Sequence, residues 1–91
     1  MSVKYWKTGR TIALIRSEMD IKRAELVRNT IRKKREITGE IETENYIEFY
    51  TTTKNKEKKY EIIKYDIKGQ RIYYNFINLP ANNISELEKF L

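Results

Sequence analysis

The hydrophobic positions change period near the middle of the chain. Up to about Gly39 they follow helical spacing: at 100° per residue Met19, Ala24, Leu26, Val27 and Ile31 fall on one broad arc. Lys22, Arg28, Arg32, Lys33 and Arg35 fall on the opposite one. The ends of the segment agree with a helix. Ser17-Glu18-Met19-Asp20 offers an N-cap with acids in the first turn, and Arg32-Lys33-Lys34-Arg35 followed by Gly39 offers cations and a glycine stop. Arg23 and Lys34 project within the apolar arc, where long stems can lie on apolar surface while the charge reaches water. The prediction is one long amphipathic helix with a basic stripe.

Beyond Gly39 the period becomes two. Ile47 and Phe49 alternate with Tyr46, Glu48 and Tyr50, and Thr51 to Thr53 prolong a β-favourable run. The polar stretch Lys54 to Lys59 turns the chain into Tyr60 to Ile67, and Lys68-Gly69 turns it into Arg71 to Leu79. A two-residue turn there pairs Ile67 with Gln70, so Ile63, Tyr65 and Ile67 lie beside Ile72, Tyr74 and Phe76 on an apolar face. The first hairpin matches that face when Phe49 lies opposite Ile63 and Ile47 opposite Tyr65, since a one-residue slip would turn both to the other side. Glu48 then pairs with Lys64 and Asp66 with Arg71 on the second face, two opposite-charge pairs that played no part in choosing the register. Tyr46, Tyr50, Tyr60 and Tyr73 share this second face.

At the start, Val3 to Lys7 and Thr11 to Ile15 flank Thr8-Gly9-Arg10 as a hairpin. The run Ile12 to Ile15 would point in four directions around a helix and suits a buried strand. After Pro80, Asn83 or Ser85 caps a short closing helix ending in Phe90 and Leu91. The predicted fold class is α+β. One long basic amphipathic helix packs on a three-stranded antiparallel β-meander, with an N-terminal hairpin and a short C-terminal helix, in a single small domain over residues 1–91.

Composition narrows the chemistry. A chain of 91 residues holds one core and buries only roughly 60–65% of its unfolded surface, so a homodimer interface would add useful stability. With no cysteine and no histidine, disulfides, structural zinc and the usual haem ligands are not expected. No cofactor and no metal site are predicted, because Glu40, Glu42 and Glu44 at a strand start read as solvated carboxylates. No apolar run approaches the ~20 residues of a membrane span, and the first residues lack a signal peptide's apolar stretch. The expected location is the cytoplasm. Abundant Ile, Lys, Asn and Tyr, with AT-rich codons, point to a low-GC microbe or one of its viruses or mobile elements.

Charge is unevenly spread. Residues 1–39 hold eleven Lys and Arg against four acids, a net of +7, whereas residues 40–91 hold eight against nine. Such segregation is the footprint of a partner with negative charge: nucleic acid, DNA or RNA, or an acidic protein surface. The candidate nucleic-acid-binding residues are Lys22, Arg28, Arg32, Lys33 and Arg35 on the helix, and Tyr46, Tyr50, Lys64 and Tyr73 on the second sheet face. There, bases would stack on rings while cations hold phosphates. The same tyrosines equally suit packing or a protein interface. Tyr5-Trp6 between Lys4 and Lys7 reads first as an anchor to the core. The tip Lys54 to Lys59 reads first as a soluble exposed hairpin tip, and second as a contact for phosphates.

No catalytic residue is predicted. His and Cys are absent, and Ser2, Ser17 and Ser85 sit in no nucleophile-elbow or Ser-x-x-Lys setting. A helix followed by a β-meander in a small basic protein resembles RelE-like ribonuclease toxins in architecture. That likeness would imply RNA cleavage by Lys, Arg and Tyr, but it rests on no motif. The leading expectation is a non-enzymatic nucleic-acid-binding accessory or regulatory protein. A protein-interaction module or inhibitor of a mobile element is the alternative, and a ribonuclease toxin the second.

Overall fold

Residues 3–7 and 13–91 are described by a computed structural model, with side chains from Ser17 onward. Strands β1 (Val3–Lys7) and β2 (Ala13–Ser17) form an antiparallel hairpin, with Val3 opposite Ser17 and Lys7 opposite Ala13. The hairpin loop expected at Thr8-Gly9-Arg10, and the side chains of Tyr5 and Trp6, lie outside the described residues. Strand β2 runs directly into helix α1 (Glu18–Lys34). Ser17 is the N-cap, its Oγ accepting the Asp20 N–H at 3.2 Å. This satisfies one of the free donors of the first turn.

Helix α1 does not run on towards Gly39. Arg35 is already extended (φ −135°, ψ 159°), and the chain enters strand β3 (Arg35–Glu42) with no intervening loop. Gly39 therefore sits inside a strand rather than at a helix end. Four more strands follow: β4 (Tyr46–Thr53), β5 (Tyr60–Asp66), β6 (Arg71–Tyr74) and β7 (Ile77–Asn78). They add in chain order to an antiparallel sheet of five, two more strands than the expected meander. One extra strand is β3. The other arises because the predicted Arg71–Leu79 strand breaks at Asn75-Phe76, both at positive φ (50° and 68°), and folds back so that Tyr74 pairs with Ile77.

The central register is the expected one: Phe49 opposite Ile63, Ile47 opposite Tyr65, Glu48 opposite Lys64 and Asp66 opposite Arg71. The turn after β5 differs in detail. It spans Ile67–Gln70, and the left-handed residue is Gln70 (φ 52°), not Gly69. Gly69 is needed for space: Asp66 Oδ1 accepts its N–H at 3.0 Å, and a Cβ there would stand 2.6 Å from Asp66 Oδ2.

Helix α2 (Ile84–Phe90), capped by Asn83 Oδ1 accepting the Glu86 N–H at 2.9 Å, closes the same sheet face as α1. Ala24, Val27 and Ile31 of α1 and Leu87 of α2 meet Ile47, Phe49, Ile63, Tyr65 and Ile72 of the sheet to form the core. Leu79, between β7 and α2, is fully buried with them. Phe76, expected on this apolar face, is 74% exposed instead.

The rotation of α1 also departs from the wheel. Its buried stripe is Ala24, Val27, Arg28 and Ile31, while Met19 and Leu26 are exposed. Arg28, expected on the solvent side, is 7% exposed. It pairs with Glu25 on its own helix and with Glu40 (Nη2–Oε1 2.8 Å), and its guanidinium lies 5.5 Å from the Phe49 ring centroid. A bulge makes this possible. Between Ile37 and Gly39 the β3–β4 register shifts by one, putting Glu40 opposite Phe49 on the helix side and turning Ile41 outward. A buried cation needs such partners, because desolvation would otherwise cost several kcal/mol.

Candidate functional site

Among the described residues, the sheet has one face that neither helix covers and one charged end. Both helices cover the opposite face, so Tyr46, Glu48, Tyr50, Tyr60, Ile62, Lys64 and Tyr73 share the open side, as their register dictates.

The charged end forms where the last turn of α1 meets the β4–β5 connection. Lys54 Nζ donates to the Arg32 carbonyl at 3.1 Å, and Lys58 Nζ stands 3.8 Å from Glu36 Oε2. The two contacts tie together segments distant in sequence. Arg32, Lys33 and Lys34 thereby join Lys54, Lys56, Lys58 and Lys59, all exposed, against Glu36, Glu57 and Glu40, the last already paired with Arg28. The connection itself is held in shape by local bonds: Thr53 Oγ1 donates to Asn55 Oδ1 at 2.7 Å, and the same Oδ1 accepts the Lys58 N–H at 3.3 Å. A cleft of about 630 Å³ opens here, lined by Arg32, Arg35, Glu36, Thr38, Glu40 and Lys54.

Not every predicted helix cation reaches this end. Arg32 and Lys33 do. Lys22 is exposed but lies ten residues earlier, roughly 15 Å along the helix axis. Arg28 is buried and paired as described. Arg35 belongs to β3 rather than to the helix, and its Nε donates to Glu61 Oε1 at 2.7 Å. The Tyr74 hydroxyl donates to the other Glu61 oxygen. Arg35 Nη1 also donates to the Leu91 carbonyl at 3.0 Å, pinning α2 to the sheet. The hydrogen bond to Glu61 holds the Arg35 pKa above its ordinary value.

Tyr74 and Tyr65 have pKa values raised above the ordinary phenol value, in both cases chiefly by burial, and for Tyr74 also by its bond to Glu61. A raised folded-state pKa means the folded chain holds these protons more tightly than the unfolded one. The stabilisation is fully present below the unfolded value near 10 and is lost as pH rises through the higher folded values. Urea unfolding between about pH 9 and 11.5 is expected to show stability falling above pH ~10, with a shallower fall in Tyr74→Phe. An equal slope in that variant would count against the account.

The tyrosine face divides into two parts. In the first, Lys64 Nζ lies 4.5 Å from the Tyr46 ring centroid and 5.6 Å from that of Tyr73. The lysine thus makes cation–π contacts with both rings within the protein. In the second, nearer the charged end, Tyr50, Thr51, Tyr60, Glu61, Ile62, Asn75 and Phe76 line a depression of about 430 Å³, with the Glu61 carboxylate held by Arg35 and Tyr74. Tyr60 is 79% exposed there. Phe76 was hidden from sequence reasoning because it fits the alternation of an unbroken strand. The available signal was Asn75, a residue that accepts the left-handed conformation and marks tight hairpin turns. The tip lysines were visible as a charge run, but nothing in the sequence showed that they meet the end of α1.

No helix among the described residues is long and apolar enough to cross a membrane. Compared with protein-family models, curated proteins and solved structures, the chain matches none, and its geometry alone carries the functional reading.

Proposed function

We propose that the protein binds nucleic acid, without catalysing a reaction on it, through the charged end where α1 meets the β4–β5 connection. The observation that carries this reading is the Lys54–Arg32 contact, which fuses two basic segments into one surface of seven exposed cations against three acids, one of them paired with Arg28. Backbone phosphates are the natural complement of such a surface. Each neutralised phosphate releases condensed counterions, and affinity then falls steeply with salt. The cations come from a helix end and a hairpin tip and suit phosphates, which carry no sequence information, so the expected binding is sequence-tolerant. An accessory or regulatory role follows from that mode.

The test is a fluorescence titration of labelled single-stranded DNA, duplex DNA and RNA at several salt concentrations. Micromolar or tighter affinity at low salt, with log K falling linearly in log salt, is the expected result. Absence of binding at low salt to all three would refute the proposal. In that case the tyrosine face remains as a contact for another protein, since interfaces favour aromatic side chains with a polar rim.

A further inference from the structure

The depression beside the charged end has three features that a merely structural surface does not need. First, it exposes two aromatic rings to water, Tyr60 at 79% and Phe76 at 74%. Second, Phe76 is held at φ 68°, a left-handed conformation that bulky residues rarely adopt. The placement is enforced: the Asn75 N–H donates to the Ile62 carbonyl at 2.8 Å, and Asn75 Oδ1 accepts the Ile62 N–H at 3.0 Å, fastening the turn to β5. Third, the depression adjoins the cations, because Tyr60 follows Lys58 and Lys59 directly and opens β5. Its volume of about 430 Å³ is in the range of small-molecule sites.

A largely apolar recess with two open rings, flanked by a cationic rim, complements one kind of ligand: a flat heterocycle attached to a phosphate. Duplex bases are stacked on one another and do not present their faces, whereas unpaired bases do. We propose that the recess between Tyr60 and Phe76 is a stacking site for an unpaired base of single-stranded nucleic acid whose phosphates lie on Lys54, Lys58 and Lys59. This rests on the nucleic-acid-binding reading above and extends it, by making the single strand the preferred form. Tyr46, Lys64 and Tyr73 do not line this recess.

The experiment compares the full chain with Phe76→Gly and Tyr60→Ala, titrating a labelled oligothymidine and a duplex of equal length at low salt. Phe76→Gly removes the ring while supplying the residue best suited to φ 68°, so the turn is retained. Circular dichroism and thermal melting of each variant establish that the fold persists, and Tyr60→Phe serves as a variant that keeps a ring. The expected result is a loss of about 5- to 100-fold in single-strand affinity for each missing ring. Duplex affinity and the salt slope should stay unchanged, because phosphate contacts are untouched, and Tyr60→Phe should bind like the parent. Equal losses on single strand and duplex, or no loss on either, would overturn the stacking site while leaving the electrostatic reading in place. Failure of the parent protein to bind any nucleic acid would overturn both. Self-association that Phe76→Gly abolishes, with single-strand affinity unchanged, would assign the recess to a contact between copies of this chain and overturn the proposal.

Discussion

Replacing Glu61 by alanine is expected to destabilise the fold by about 3–5 kcal/mol, the range seen when one partner of a buried ion pair is removed. The Glu61 and Arg35 side chains are 9% and 14% exposed, so both charges are largely withdrawn from bulk water. Alanine would leave the Arg35 guanidinium with the Lys34 and Leu91 carbonyls and the neutral Tyr74 hydroxyl, and would take the carboxylate acceptor from that hydroxyl. Domains of this size have a total stability toward the low end of 5–15 kcal/mol, so the variant should be largely unfolded at modest denaturant. Glu61→Gln keeps shape and acceptor but not charge, and should fall between. The double replacement Arg35→Met with Glu61→Leu should recover much of the loss, because two apolar groups of similar volume avoid the desolvation cost altogether. Urea unfolding followed by circular dichroism measures all three. A loss below about 1 kcal/mol for Glu61→Ala would mean that the pair behaves as an exposed one. The same pair explains why Arg35, although it sits in the basic run, is committed to holding β3, β5 and α2 together.

The elements that sequence reasoning identified and those it missed differ in the range of the interactions that determine them. The Ser17 cap, the alternation of β4 and β5 and the Phe49–Ile63 register depend on neighbours within a turn or on one hairpin pairing, and the structure has each of them. The rotation of α1 does not. Arg28 reads as a solvent residue because its partner, Glu40, lies twelve positions on and faces the helix only through the bulge at Thr38. With Arg28 turned inward, Leu26 and Met19 turn outward, and their apolar character could not prevent it. Strand β3 was illegible for another reason: Arg35-Glu36-Ile37-Thr38-Gly39-Glu40 carries charges and a glycine, all poor strand formers in isolation. Pairing along β4 overrides that weak preference. At the candidate site, the tyrosines were assigned to the right face by register alone. Their division into a pair contacted by Lys64 and an open recess depends on where Lys64 and Phe76 point, which is a matter of packing. The basic surface changed most, from a stripe along a helix to one end of the molecule, because Arg28 went into the interior, Arg35 was tied to Glu61, and four lysines from the β4–β5 connection joined the end of the helix.

That relocation sets the second large effect. The triple substitution Lys33→Glu, Lys56→Glu and Lys59→Glu is expected to lower nucleic-acid affinity at low salt by about 100-fold or more, and to reduce the slope of log K against log salt by roughly 2–3. The substitutions fall on exposed positions and lower the formal net charge from +6 to 0, so part of any loss would come from net charge alone. The control is therefore positional. Lys22→Glu and Lys68→Glu change the same kind of charge elsewhere: Lys22 lies ten residues before Arg32, and Lys68 sits in the turn at the opposite end of β5, roughly 20 Å away along the strand. If the charged end holds the phosphates, those two should each reduce affinity only a few-fold, with the slope preserved. Lys33 is in the last turn of α1, where a cation also complements the helix dipole for about 0.3–1 kcal/mol, so the triple variant should melt slightly lower without unfolding. Lys54 is left intact because its bond to Arg32 joins the two segments, and losing it would confuse a broken surface with a discharged one. Equal losses from the triple variant and from Lys22→Glu with Lys68→Glu would show that binding follows net charge, not the convergence of α1 with the β4–β5 connection.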